Sequence, residues 1–348
     1  MELPPIVSPL IAWYEGSHRT LPWRDDPSPY HVWISEIMLQ QTRIEAVIPY
    51  YLRFLSALPT VEALADADDE LLLKLWEGLG YYSRVRNLKK AARTVVEQYG
   101  GILPKTAAEL RHLAGIGEYT AGAIASIAYG EPSPAVDGNV LRVIARLTAD
   151  PRNILSPSTK RDITAALQKI YPSGRNAAAL TQALMELGER VCIPNGAPAC
   201  HVCPLQSLCE AKKQGLTDTL PLREKNKTRR KEEKTVLLLH CTKTDRYAIR
   251  KRADTGLLAS LWELPNAPTR LTADEAQDAA LSLGLSPLSV TPLPDEKHLF
   301  THVEWYLSGY RIECERECDD FLWVTAKELS ESFAVASAFR AYRRLITE

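Results

Sequence analysis

Four cysteines, Cys192, Cys200, Cys203 and Cys209, fall in the order C-x7-C-x2-C-x5-C in VCIPNGAPACHVCPLQSLC. Thiolates this dense can ligate one zinc ion or one iron–sulfur cluster. Pro194, Gly196, Pro198 and Pro204 make the intervening chain a loop that cannot bury four idle thiols by itself. Zinc sites usually pair two C-x2-C knuckles across a longer gap, and only one close pair exists here, so the spacing favours a [4Fe–4S] cluster. Cys241, Cys314 and Cys318 stand apart. An odd total of seven, clustered this way, suits a reducing compartment better than a secreted disulfide framework.

Two carboxylates are candidates for acid–base work. Val32, Glu36 and Leu39 in YHVWISEIMLQQT share one helix face at i, i+4, i+7. A carboxyl within an apolar stripe has a raised pKa and can donate a proton; the bland reading is a glutamate at the core's edge reaching water. Asp137 opens a helix in PAVDGNVLRVIARL, where N-capping accounts for it and leaves room for a second role. In LAGIGEYTAGAI, Gly115-Ile116-Gly117 forms either a tight helix–helix corner or an anion site of exposed N–H groups at a helix start.

The elements that must carry these residues follow from periodicity. From about residue 8 to 212 apolar residues recur at helical spacing in segments opened by Ser, Thr or Asp. Within LPKTAAELRHLAGIG, Thr106 and Glu109 have capping-box spacing and Gly115 stops the helix. LREKNKTRRKEEK, residues 222–234, carries seven basic and three acidic side chains and reads as an exposed linker. Beyond it KTVLLLHCT, RYAIRKR, HVEWYLSGYRIEC and DFLWV read as strands, with helices at TADEAQDAALSLG and near the C-terminus, which predicts an α+β domain. The N-terminus shows neither a signal-peptide pattern nor a membrane span, so a soluble intracellular protein is expected. A net charge of −1 gives no support by itself to a nucleic-acid partner, so any such binding must use local patches.

In combination, the helical region, the GIG hairpin, the downstream VDGN and the cysteine loop resemble the helix-hairpin-helix DNA glycosylases of the endonuclease III superfamily. SEIMLQQT, GLGYYSR and a C-terminal GLLASLWELPN narrow the resemblance to MutY-type adenine DNA glycosylases, over nearly the full chain. The resemblance implies an all-α helix-hairpin-helix glycosylase core with a [4Fe–4S] cluster loop, plus a C-terminal α+β MutT-like (Nudix-like) domain. Residues 30–136 would form a six-helix barrel with the hairpin at 113–124. Residues 1–29 with 137–212 would form the cluster subdomain, 213–234 a basic linker, and 235–348 the lesion-recognition domain.

The implied activity is excision of adenine opposite 8-oxoguanine or G from duplex DNA, by a monomer with no membrane partner. Glu36 would protonate N7 of adenine. Asp137 would stabilise the oxocarbenium-like state, and could form a transient covalent intermediate, by the two-carboxylate logic of glycoside hydrolysis. Asn139 would position Asp137 or the water. Base flipping leaves a gap to be filled. Gly78 and Gly80 let the backbone approach DNA, Leu79 and Tyr81 offer wedge and stacking surface, and Arg84 and Arg86 could meet phosphates. The resemblance further places Gln41 and Thr42 with Leu79 and Tyr81 at the lesion base, and Arg24 and Gln182 in the adenine pocket. Gly115 and Gly117 would hold a phosphate, Phe300, Thr301 and His302 would read 8-oxoguanine, and the four cysteines would hold the cluster.

Two departures from the family pattern matter, and a third position discriminates within the superfamily. Thr301 stands where the family has serine, and seven residues instead of six separate the first two cysteines. Tyr119 stands where strand-cutting relatives carry a Schiff-base lysine, the discriminating feature against a bifunctional enzyme acting on oxidised pyrimidines. A nucleotide pyrophosphatase is disfavoured because no R-E-x-x-E-E box is found.

Overall fold

The computed structural model describes residues 1–224 and 229–347; Lys225–Thr228, inside the expected linker, lie outside the described residues. Two units result, one of Met1–Asp66 with Arg86–Lys225, the other of Ala67–Val85 with Asn226–Glu348.

Local chemistry sets the helix starts of the first unit. Ser28 accepts from His31 N–H and Pro29 occupies the first turn of the helix Pro29–Leu39. Asp137 accepts from Val140 N–H at the start of Gly138–Leu147. Gly130, at φ 70°, closes Glu118–Tyr129 in the left-handed conformation. The expected Thr106 cap holds, with Oγ1 accepting from Glu109 N–H at 3.2 Å, over a helix of only four residues, Ala107–Leu110. Around one core, Ile6 and Leu10 from Val7–Ser17 and its cap meet Val140 and Ile144 from Gly138–Leu147 and Leu180, Leu184 and Leu187 from Arg175–Arg190, all almost wholly excluded from solvent.

Two glycines let helices approach beyond what a Cβ would permit. A Cβ at Gly122 would lie 2.4 Å from the carbonyl oxygen of Pro134, so Glu118–Tyr129 rests directly on the irregular segment that delivers Asp137. At Gly188 a Cβ would lie 2.6 Å from that of Asn139, so Arg175–Arg190 rests on the first turn after Asp137. Close backbone approach thus brings three elements together at one point.

The second unit is built on a seven-stranded mixed sheet. Its strands are β1 (Arg230–Cys241), β2 (Arg246–Lys251), β3 (Trp262–Glu263), β4 (Asn266–Ala267), β5 (Pro287–Leu299), β6 (Val303–Cys314) and β7 (Leu322–Val324). The principal order is β3-β2-β1-β6-β5, with β4 on β1 and β7 on β2. β1 and β6 run parallel, from Arg230 opposite Val303 to Cys241 opposite Cys314. Residues 236–239 are a continuous apolar run, buried on both faces of this strand. One face packs Leu237, Leu239 and Ile312 against Ala276 and Ala280 of the helix Ala273–Ser282. On β6, the ring of Tyr342 occupies the place where Gly309 lacks a Cβ.

Two features differ from the sequence reading. β1 begins at Arg230, inside the stretch expected to be linker, because its charged residues are partnered: Glu232 accepts from Trp305 Nε1 at 2.8 Å and Lys234 lies over the Trp305 ring. Residues 67–85, expected within the barrel, pack as part of the second unit.

Candidate active site

One cleft of about 600 Å³ in the first unit gathers residues from six segments of chain. Its size is in the range of small-ligand sites. Glu36 and Tyr119 line it together with Asp137 and Asn139, as do Arg24, Gln41, Thr42 and Gln182.

Glu36 comes from the buried helix Pro29–Leu39 and is 6% exposed. Tyr119 Oη donates to Glu36 Oε2 at 2.6 Å. Burial pushes the Glu36 carboxyl up to about 7; the Asp137 charge adds to the rise, while the Tyr119 hydrogen bond and Arg24 oppose it. The group is therefore divided between acid and base forms near neutrality. Tyr119, itself raised well above its ordinary value by burial and by the charges of Glu36 and Asp137, stays neutral and acts as the donor.

Asp137 serves as helix cap and site carboxylate at once. Its Oδ1 accepts from Val140 N–H at 2.8 Å and its Oδ2 from Asn139 Nδ2 at 2.9 Å. Burial raises its pKa, opposed by the Val140 and Asn139 hydrogen bonds and by Arg142. Arg142 extends the chain outward: its Nη2 donates to Asn139 Oδ1 at 2.8 Å and its Nε to the Cys192 carbonyl at 2.7 Å. The orientation of Asp137 is thereby tied to the first turn of the cysteine loop.

The remaining wall holds residues that sequence reasoning missed. Glu186 is 1% exposed and accepts from Arg19 and Arg24, with Arg24 Nη2 at 2.8 Å. Burial would raise its pKa, but the two arginine hydrogen bonds prevail and hold it down at about 2, a fixed anion. Arg24 is thus locked at the cleft edge. Gln182, Met185, Glu186 and Glu189 all line the cleft from one helix. Their i, i+3, i+4, i+7 spacing, largely polar where a core stripe would be apolar, was the available signal. Gln41, at φ 58°, holds a left-handed backbone that glutamine rarely adopts, a strain found typically at functional turns.

Cys192, Cys200, Cys203 and Cys209 line one separate cavity. Among the described residues no three His, Cys, Asp or Glu side chains converge closely enough to hold a single ion. Four thiols lining one cavity are a donor set that a metal centre could use. Arg146 Nη1 donates to Cys192 Sγ at 3.4 Å, and burial together with the neighbouring thiols pushes Cys203 up to about 11. A bound cationic cluster would relieve that crowding by taking the thiolate forms. Gly196, at φ 79°, supplies the bend that accommodates the longer first spacing.

Gly115, at φ 77°, and Gly117 form the corner before Glu118–Tyr129, and Gly117 caps it without any side-chain hydrogen bond. The first-turn N–H groups therefore have no side-chain cap at that end.

In the second unit, Tyr81 Oη lies 3.0 Å from Thr301 Oγ1. Phe300 packs edge-on to Trp305 and His302 is exposed, its carbonyl accepting from Arg230 N–H. Leu79 is buried, 7% exposed, and so does not offer the wedge surface expected of it, whereas Tyr81 is about half exposed at φ 48°. Arg84 departs from expectation. Its guanidinium is buried, donates to the carbonyls of Leu79 and Gly80 at 3.1 Å, and lies over the rings of Trp76 and Tyr81. It shapes the GLGYYSR loop and is not available to a phosphate.

The cleft of this all-α unit thus holds a carboxylate pair, and the same unit carries a glycine corner and a four-cysteine loop. Residues 34–173 match the model of the HhH-GPD superfamily base excision DNA repair proteins, and residues 235–345 match the NUDIX domain. The chain is 34% identical to the adenine DNA glycosylase of Rattus norvegicus over 96% of this chain and 77% of that protein, and 32% identical to that of Homo sapiens over 96% and 73%. The structure of a thermostable thymine-DNA glycosylase superposes with a TM-score of 0.54 at 26% identity, over 60% of this chain and 95% of that one. The chain belongs to the adenine DNA glycosylase family, hydrolases acting on N-glycosyl bonds. Among the described residues no helix is long and apolar enough to cross a membrane.

Proposed function

We propose that the enzyme removes adenine paired with 8-oxoguanine, and adenine opposite G, from duplex DNA, and leaves the abasic strand intact. The observation that carries this reading is the Tyr119–Glu36 hydrogen bond: a neutral phenol, and not an amine, stands beside the acid at the position where strand-cutting relatives carry lysine. Lys160, which also lines the cleft, lies 3.8 Å from the exposed Glu118 carboxylate.

In the proposed reaction the flipped adenine enters the cleft between Arg24 and Gln182. Protonated Glu36 gives its proton to N7, the C1′–N9 bond breaks, and its electron pair leaves with adenine. Positive charge develops at C1′ and the ring oxygen, and the Asp137 carboxylate, oriented by Asn139 and Val140 N–H, stabilises it. Asp137 closes on C1′ as a transient ester, and water, losing a proton to the Glu36 carboxylate, displaces it to give the abasic hemiacetal and restore both carboxyl groups. Within the first unit Gln41 and Thr42 face the DNA and Gly115 and Gly117 hold a phosphate through N–H groups; within the second, Tyr81 offers a stacking ring and Phe300, Thr301 and His302 read 8-oxoguanine. The second unit acts as reader, since the chain has no R-E-x-x-E-E box.

Cys192, Cys200, Cys203 and Cys209 would hold a [4Fe–4S] cluster, which when bound supplies rigidity to the loop that Arg142 and Arg146 grip. The protein should purify with about four irons per chain and a broad visible absorbance. Cys203→Ser should lose both; colourless, iron-free wild-type protein would rule the cluster out.

The decisive measurement is release of adenine from duplexes carrying A opposite 8-oxoguanine, G or T. Release is expected from the first two and not the third, with negligible borohydride trapping. Efficient trapping of a covalent DNA adduct would show an amine at work and overturn the reading.

A further inference from the structure

Residues 67–85 belong in sequence to the helical half and in space to the C-terminal unit. Their side chains explain this. Glu70 accepts from Lys251 Nζ at 2.5 Å and Trp262 Nε1 at 3.0 Å. Lys74 Nζ donates to the carbonyls of Ser330 at 2.5 Å and Phe333 at 3.2 Å. Glu77 is the most heavily engaged: Oε1 accepts from Val335 N–H at 3.1 Å and from Arg343, while Oε2 takes Lys74 at 2.8 Å. These three residues, at spacings of four and three, lie on one face of the helix Asp69–Leu75 and its extension.

Glu77 also sits at the entry to the GLGYYSR loop. Trp76, before it, is wholly buried and donates from Nε1 to the Gly80 carbonyl at 3.1 Å. Gly78 and Gly80 follow at φ 102° and 73°, and the loop ends at Tyr81 in hydrogen-bond contact with Thr301. One end of the segment is therefore fixed by ion pairs to the sheet domain, and the other presents Tyr81 beside the Phe300-Thr301-His302 turn.

We infer that residues 69–77 form a strap by which the C-terminal unit sets the position of the Leu79–Tyr81 loop, with Glu77 as the positioning residue. The inference rests on the proposed roles of the two loops. Reader and wedge then register on a lesion as one body, and the strap governs discrimination between 8-oxoguanine and G opposite adenine, with the chemical step left to the first unit.

The test uses full-length Glu77→Gln and Glu77→Ala. Glutamine retains an acceptor for Val335 N–H and gives up the charge facing Arg343 and Lys74; alanine gives up both. The ratio of single-turnover adenine release from A·8-oxoG over A·G should fall by roughly tenfold in Glu77→Ala and less in Glu77→Gln. Release from A·G should stay within about twofold of wild type. A merely structural role would lower both rates together, and that outcome, or an unchanged ratio, overturns the inference. Backbone amide exchange supplies an arm independent of activity: residues 78–82 should exchange faster in Glu77→Ala while residues 32–39 do not change. Unchanged exchange in the loop also overturns it. Wild-type protein that releases no adenine from either duplex would defeat the proposed function, and the exchange arm would still decide the strap.

Discussion

Asp137→Asn should lower single-turnover adenine release from an A·8-oxoG duplex by about 10² to 10³-fold, with lesion-duplex affinity retained, because removing one preorganised stabiliser of transition-state charge costs about this much. The substitution separates the residue's two duties. Asparagine is as good an N-cap as aspartate, and its Oδ1 can still accept from Val140 N–H. The other oxygen becomes an NH₂ facing the donor Nδ2 of Asn139, so a stability loss on the order of 1 kcal/mol is expected from that one clash of donors. What disappears entirely is the anion. Gel-shift affinity, thermal denaturation and rapid-quench release on the same preparation would distinguish the effects. Undiminished release would remove Asp137 from the mechanism; collapse of the fold would mean that capping was its main task.

The parts of this site legible in the sequence were those determined within a few residues. Asp137 could be recognised as a cap because its partner is three residues away, and Glu36 as a cleft carboxylate because Val32 and Leu39 fix its helix face. The cysteine loop and the glycine corner are likewise local. What sequence did not disclose depends on partners far along the chain. Glu186 reads as one more surface glutamate until Arg19 and Arg24, more than 160 positions earlier, are placed against it. Arg142 reads as the polar side of an amphipathic helix and is 6% exposed, its hydrogen bonds satisfied by Asn139, Gly188 and Cys192. Gly122 and Gly188 are mid-helix glycines, which lower helix propensity and carry no sign of the backbone each must touch. Residues 67–85 have ordinary helical periodicity, and it is the contacts of Glu70 with Lys251, Lys74 with the Ser330 carbonyl and Glu77 with Arg343 that tie them to the second unit.

Glu36→Gln should reduce adenine release by about 10² to 10⁴-fold, the usual contribution of a positioned general acid, and should abolish the alkaline limb of the pH–rate profile. With the Glu36 carboxyl raised to about 7, the fraction carrying a transferable proton falls as pH rises through neutrality, so the wild-type rate should decline tenfold per pH unit above that point. Stability should move in the same direction. Burial raises this group's folded pKa above its unfolded value, so the acid form is favoured by folding; that contribution is complete below the unfolded value near 4.5 and is lost as pH rises to about 7. At pH 8 the neutral glutamine variant should therefore be more stable than wild type, and at pH 4 the two should converge. The Tyr119 hydrogen bond opposes the rise, so Tyr119→Phe in the same assay should move the alkaline limb upward, not downward. A limb that stays in place on removal of that donor, or a glutamine variant that keeps the wild-type limb, would assign the titration to another group and deny Glu36 the role of acid.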